Sequence, residues 1–128
     1  MSSETSQCVL VLDDDIGIRE SLMLFLEDSE LDAVAADNAD VALRALQRQP
    51  CDIAIVDLRL PGKTGEEFIL EIHRRWPDIR FIIHTGSSDY RISPQLMELG
   101  IRDQDIFIKP VSDLQRLIHA VTELRQLP

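Results

Sequence analysis

Cysteine is nearly missing from this sequence: Cys8 and Cys51 are the only two in 128 residues. That is too few for a disulfide scaffold or a zinc site. Positive charge is scarce as well, with 13 Lys and Arg against 23 Asp and Glu and a formal net charge of -10. Such a surplus repels phosphate backbones and argues against direct contact with nucleic acid. No apolar run approaches the ~20 residues of a membrane helix. The polar opening, Met1-Ser-Ser-Glu-Thr-Ser-Gln7, lacks the basic-then-apolar layout of a secretion signal. What is present is ordinary globular usage, 45% apolar and 28% charged, which fits neither a disordered tail nor a fibre. The length argues for one domain with a real core. The expectation is an acidic, cytoplasmic domain over residues 8–126, with a polar extension at 1–7, a short end at 127–128, and no membrane partner.

Five short apolar runs stand at Cys8–Leu12, Ala33–Ala36, Ile53–Val56, Phe81–Ile83 and Ile106–Ile108. They are continuous rather than alternating, as expected of strands buried on both faces of a parallel sheet. Segments with helical spacing lie between them, marked by Ile16, Leu22, Leu24, Phe25 and Leu26, by Val41, Leu43 and Leu46, and by Phe68, Ile69 and Ile72. Leu96, Met97 and Leu99 mark a short fourth, and Leu114, Leu117, Ile118, Val121 and Leu124 a fifth. Strand and helix alternate five times, which predicts a doubly wound α/β fold: a five-stranded parallel sheet with five helices. Helix starts agree: Thr64-Gly-Glu-Glu67 and Ser112-Asp-Leu-Gln115 read as capping boxes, Ser93-Pro94 as a cap with a first-turn proline, and Asn38 as a cap. Gly100 and Trp76-Pro77 read as helix ends. The last helix runs almost to Pro128, so no output domain is expected after it.

The acidic residues are not scattered. Asp13, Asp14 and Asp15 follow the first strand and Asp57 follows the third. Ligands of such folds sit beyond the carboxyl ends of the strands, where the winding reverses. If the first and third strands are neighbours, the carboxylates converge. Two charges about 4 Å apart repel by about 4 kcal/mol at an effective dielectric of about 20. The cluster therefore needs a cation or raised pKa values, and Mg²⁺ (or Mn²⁺) suits oxygen ligands best. Thr85 ends the fourth strand, and Lys109, followed by Pro110, ends the fifth. A hydroxyl, an ammonium and a metal around one carboxylate suit phosphoryl oxygens, with the carboxylate as nucleophile of an acyl phosphate.

The motifs Val9-Leu-Val-Leu-Asp-Asp-Asp15, Asp52-Ile-Ala-Ile-Val-Asp57-Leu-Arg-Leu-Pro-Gly-Lys-Thr-Gly65, Ile83-His-Thr85-Gly86 and Phe107-Ile-Lys109-Pro110 together resemble the receiver domain of bacterial two-component response regulators. The resemblance implies a flavodoxin-like strand order 2-1-3-4-5. It implies Asp57 as phosphoacceptor, Asp13 and Asp14 as the acidic pair holding the metal, and the backbone carbonyl of Arg59 as a further metal ligand. Lys109 would contact the phosphoryl group, and Thr85 would swing toward it. Asp15, Gly86 and Pro110 would stand just outside the reacting groups, Asp15 as a helix cap or nearby charge. Pro61, Gly62 and Gly65 would shape the loop after Asp57, and Gly86 would keep access open. The implied partners are a sensor histidine kinase or histidine phosphotransfer protein as donor, and a downstream target or missing output domain as receiver of the signal. A homodimer is a further possibility.

Two departures from the family pattern stand out. Ile106 takes the place of an aromatic that moves with the threonine in many receivers, so Thr85 and Ile106 form the switch pair, with Phe107 pointing to the opposite face. The loop Ile101-Arg-Asp-Gln-Asp105 is about two residues longer than common spacing. The Arg59 side chain either overhangs the phosphoryl group or simply balances the acidic rim. His84 reads as a hydrogen-bonded core histidine and His73 and His119 as helix surface residues, while Cys8 and Cys51, beginning adjacent strands, read as buried small hydrophobes whose thiols are close. The domain would catalyse only its own phosphorylation and dephosphorylation. Two alternatives stay open: a haloacid-dehalogenase-type phosphohydrolase with Asp13 as nucleophile, and a receiver-like binding module that works without phosphate.

Overall fold

A computed structural model describes residues 7–60, 62–87, 89–110 and 113–127. Strands β1 (Val9–Leu12), β2 (Ala33–Ala36), β3 (Ile53–Val56), β4 (Arg80–Thr85) and β5 (Ile106–Ile108) alternate with helices. These are α1 (Ile16–Asp28), α2 (Ala39–Arg48), α3 (Gly65–Arg75), α4 (Pro94–Glu98) and α5 (Gln115–Gln126). All pairings are parallel and the sheet order is β2-β1-β3-β4-β5, as the resemblance implied. Winding reverses between β1 and β3, and that is where a strand-end cleft belongs. Among the described residues, no helix is long and apolar enough to cross a membrane.

The sheet is buried on both sides, which explains the unbroken apolar runs. β1 and β3 are buried along their whole length. One face packs Leu10, Leu12, Val56 and Ile83 against Leu46 of α2, Phe68 and Ile72 of α3, and Leu96 of α4. The other packs Val9, Val11, Ile55 and Ile82 against Leu22 and Leu26 of α1 and Leu117, Val121 and Leu124 of α5. Phe107 lies on this second face and Ile106, half-buried, on the first, so their opposite orientation is as expected.

The caps at Asn38, Thr64 and Ser93 each accept the expected backbone hydrogen bond, and the Thr64–Glu67 box is complete. Trp76 caps the end of α3. β4 ends at Thr85, as expected, and also takes in Arg80 ahead of the apolar Phe81–Ile83. One expectation of the fold needs correction. The box at Ser112–Gln115 does not organise α5: Ser112 lies outside the described residues, and Gln115 is the first helical residue rather than the third. Leu114 stands at the cap without a side-chain bond, and Asp113 accepts from the Gln115 amide instead. In the long loop before β5, Asp103–Asp105 forms one 3₁₀ turn. There Arg102 makes two side-chain bonds to the buried carboxylate of Asp105, at 3.0 and 2.8 Å.

Candidate functional site

The site grows from four strand ends. Asp13 directly follows β1, and its amide donates to Ala36 O of β2 at 3.1 Å. Asp57 follows β3 and donates its amide to Leu12 O at 2.9 Å, so the two acids are carried side by side by adjacent strands. Lys109 follows β5 and is tied by its amide to Thr85 O of β4 at 2.7 Å. The parallel register therefore gathers residues separated by up to 96 positions (109 − 13) at one edge.

Both Asp13 and Asp57 are buried, while Asp14 is exposed. The Lys109 ammonium sits 2.7 Å from Asp13 Oδ2 and 3.1 Å from Asp57 Oδ2. Asp57 Oδ1 accepts a hydrogen bond from the Arg59 amide at 3.0 Å. Asp13 Oδ1 accepts from the Asp15 amide at 2.9 Å, and Asp15 in turn caps α1 by accepting from Ile18 N at 3.0 Å. Burial pushes the Asp57 carboxyl above its ordinary range, opposed by the Arg59 amide and the Lys109 ammonium and reinforced by the charge of Asp13. Burial pulls Lys109 downward, but its bonds to Asp13 and Asp57 outweigh that and leave the ammonium more firmly protonated than usual.

One lysine does not balance three carboxylates. Oxygens of Asp13, Asp14 and Asp57 lie within 4.8 Å of one another, and among the described residues buried Asp13 Oδ2 has no aligned hydrogen bond despite its proximity to the ammonium. Three carboxylates this close, one of them with an oxygen short of hydrogen bonds, suit a hard, oxygen-loving cation. The residues present therefore fit Mg²⁺.

Thr85 is buried at the end of β4 and its Oγ1 accepts from Ser87 N at 3.2 Å. Gly86 is exposed, and a Cβ on it would meet nothing within 4 Å. The Lys109–Pro110 peptide is cis. Arg59 is exposed at the rim. Pro61 lies outside the described residues; Gly62 beside it turns the chain with φ 82°, and Gly65 packs against the backbone of Asp57 and Leu58. His84 corrects an expectation: it is buried, but neither ring nitrogen has a hydrogen-bond partner among the described residues. It lines a cavity of about 510 Å³ with Asp15, Ile18, Ser21, Pro110 and Leu114.

Two supports escaped the sequence reading. Arg19 Nη1 donates to Asp13 O at 2.8 Å, bracing the acidic loop from α1. Tyr90 donates its hydroxyl to Glu66 Oε2 at 3.2 Å, tying the segment after Thr85 to α3. An arginine one turn inside a helix and a lone loop tyrosine carry no local signal; only the fold supplies their partners.

An acidic pair, a strand-end aspartate, a threonine and a lysine on one edge of a parallel sheet define a doubly wound α/β domain with its polar site at the strand ends. Residues 9–122 match the response regulator receiver domain family, and the chain belongs to it: a receiver domain of two-component response regulators. It is 38% identical over 87 residues to the hydrogenase transcriptional regulatory protein HoxA of Cupriavidus necator, covering 68% of this chain and 18% of that protein. It is 32% identical to the transcriptional regulatory protein AruR of Pseudomonas aeruginosa, covering 93% and 50%. The chain thus spans about half or less of the length of these relatives. Among solved structures, a response regulator receiver protein from Pseudomonas putida is 34% identical with a TM-score of 0.79, covering 91% of this chain and 95% of that one. TrrA of Thermotoga maritima, in complex with Mg(2+)-BeF, is 27% identical with a TM-score of 0.78, covering 92% and 98%. Receiver domains of response regulators are generally not enzymes in their own right.

Proposed function

We propose that this receiver takes a phosphoryl group onto Asp57 from a phosphohistidine donor, a sensor histidine kinase or a histidine phosphotransfer protein. The observation that carries the reading is the Lys109 ammonium poised between Asp13 and Asp57, with three carboxylates close enough to share a cation. A carboxylate oxygen of Asp57 attacks phosphorus, the P–N bond breaks, and the donor imidazole leaves with the bonding pair and takes up a proton. An acyl phosphate on Asp57 results. Asp13, Asp14, Asp57 and the carbonyl of Arg59 would hold Mg²⁺ (or Mn²⁺). Bound there, the ion would offset the charge of the carboxylates and of the incoming phosphoryl oxygens. Lys109 neutralises a phosphoryl oxygen, and Thr85 donates its hydroxyl once it leaves Ser87 N. With Ile106 half-buried on the face of α2, α3 and α4, that motion biases a surface read by a target protein, an output domain or a second copy of the chain.

The reading places the protein in the cytoplasm, the compartment of phosphohistidine signalling, and takes residues 8–126 as the working domain. Family membership favours it over a phosphohydrolase, as does the position of Asp13, buried against Lys109. Incubation with acetyl phosphate, with and without Mg²⁺, followed by intact mass measurement tests it. One phosphoryl group is expected, dependent on Mg²⁺ and missing in Asp57→Asn. Persistent labelling of that variant would overturn the acceptor. Multiple turnover of phosphate esters lost in Asp13→Asn alone would favour the phosphohydrolase, and target binding indifferent to Asp57→Ala a phosphate-independent module.

A further inference from the structure

At the opposite end of the sheet from the acidic site, two thiols meet. We propose that Cys8 and Cys51 form an oxidisable dithiol, a modification site that peroxides or small disulfides convert reversibly into an intrachain disulfide linking the starts of β1 and β3.

The placement follows from strand register. Val9 pairs with Ile53, so one step back puts Cys8 opposite Asp52, whose amide donates to Cys8 O at 3.1 Å. Cys51 is the diagonal neighbour. Adjacent strands and a one-residue stagger put the two Cα atoms about 6 Å apart, inside the span a disulfide bridges. Strict alternation would send the two side chains to opposite faces. The chain bends at Asp52 instead, and both thiols enter the same apolar cluster with Leu10 and Leu46. Gln49 touches both sulfurs: its amide Nε2 donates to Cys8 Sγ at 3.5 Å, and Cys51 Sγ donates to its carbonyl at 3.6 Å. Both cysteines are free and buried.

The pair is also chemically unequal. Hydrogen bonding from Cys51 lowers the Cys8 thiol below its ordinary range, against the opposing effect of burial and with help from the nearby Arg125. The same contact, together with burial, pushes Cys51 up. Cys8 Sγ accepts a hydrogen bond from Gln49 Nε2 whereas Cys51 Sγ donates one, so Cys8 is the attacking sulfur and Cys51 the resolving thiol. With a hydroperoxide, Cys8 sulfur attacks the terminal oxygen, the O–O bond breaks, and the leaving oxygen takes up a proton as alcohol or water. Cys51 then attacks the Cys8 sulfenic acid, loses its proton and releases water. The thiols lose two electrons and the peroxide gains them. A metal is the weaker use of these sulfurs: the acidic site is the only cluster of three or more His, Cys, Asp or Glu with metal-binding spacing among the described residues. The adjacent Asp52 carboxylate is already taken by Arg125 at 2.7 and 2.9 Å.

The test is an equilibrium one, so burial of the thiols does not decide it. The whole chain is equilibrated in mixtures of reduced and oxidised glutathione, quenched in acid, alkylated, and weighed. The folded chain is expected to be half converted to the intrachain disulfide in a mixture at least about tenfold more reducing than the urea-unfolded chain requires. Cys8→Ser and Cys51→Ser should show only the mixed glutathione adduct. A folded chain that needs an equally or more oxidising mixture than the unfolded one would overturn the proposal. Asp57→Asn should behave as wild type, so this outcome and that of the phosphorylation reading are separable.

Discussion

Asp57 carries opposing demands within one side chain. Burial disfavours its charge, while the Arg59 amide and Lys109 favour it, and burial prevails. A carboxyl whose folded pKa lies above its unfolded value contributes stability when protonated and loses it as pH rises through the folded pKa. At neutral pH without divalent cations, Asp57→Asn should therefore raise the thermal midpoint relative to wild type, read by scanning calorimetry in chelator. Adding Mg²⁺ should reverse the order. At about 100 times its dissociation constant, linkage gives wild type about 2.7 kcal/mol, and the variant, lacking one ligand charge, should gain clearly less. A midpoint of wild type unmoved by Mg²⁺ would contradict the cation site.

At the scale of elements, the loop after β3 is set by how closely α3 approaches it. A Cβ on Gly65 would meet Leu58 Cα at 2.5 Å and Asp57 O at 2.7 Å. Both are backbone positions, so relief requires moving the loop that carries Asp57. Gly65→Ala should cost about 1–3 kcal/mol in urea unfolding and slow phosphorylation by acetyl phosphate in the same variant. Gly17→Ala is the matched control: there the new methyl would lie an ordinary 3.4 Å from Asp15 Oδ1. At the second position of α1, in its first turn, it should be neutral or stabilising by less than about 1 kcal/mol. The Thr64–Glu67 box fixes where α3 starts, so a short capping motif and one glycine together aim the acceptor. The capping signal was plain in the sequence. The glycine's reason was not, because it depends on a helix packing back over a strand end.

For the whole molecule, acid should be a selective stress on account of His84. Desolvation first, and the charge of Lys109 second, push its imidazole down from 6.5 to about 4. The unfolded chain takes up this proton as pH falls below about 6.5, whereas the folded chain resists until about 4. Stability is thus fully present above about 6.5 and drains away between those limits, by about 3 kcal/mol for a shift of this size. Asp57 acts in the opposite sense. Urea unfolding followed from pH 7 to pH 4.5 should show His84→Leu losing less stability than wild type across that window. Equal slopes for the two proteins would refute a buried neutral histidine.

What the chain's own order of residues determined was the strand runs, the helix caps at Asn38, Thr64 and Ser93, and the polar residues at strand ends. These follow from local rules: apolar continuity, capping chemistry, and the single outlet that a parallel sheet offers to polar groups. Asp13, Asp57, Thr85 and Lys109 could be paired on paper because each ends a strand. Only the tertiary structure decided that, among the described residues, Asp13 Oδ2 and both His84 ring nitrogens are left without hydrogen bonds, and that Tyr90 reaches Glu66. It also decided that a bend at Asp52 turns Cys51 onto the face of Cys8. Each of these is set by side-chain direction and by contacts between distant segments, and neither is encoded in the spacing of residues along the chain.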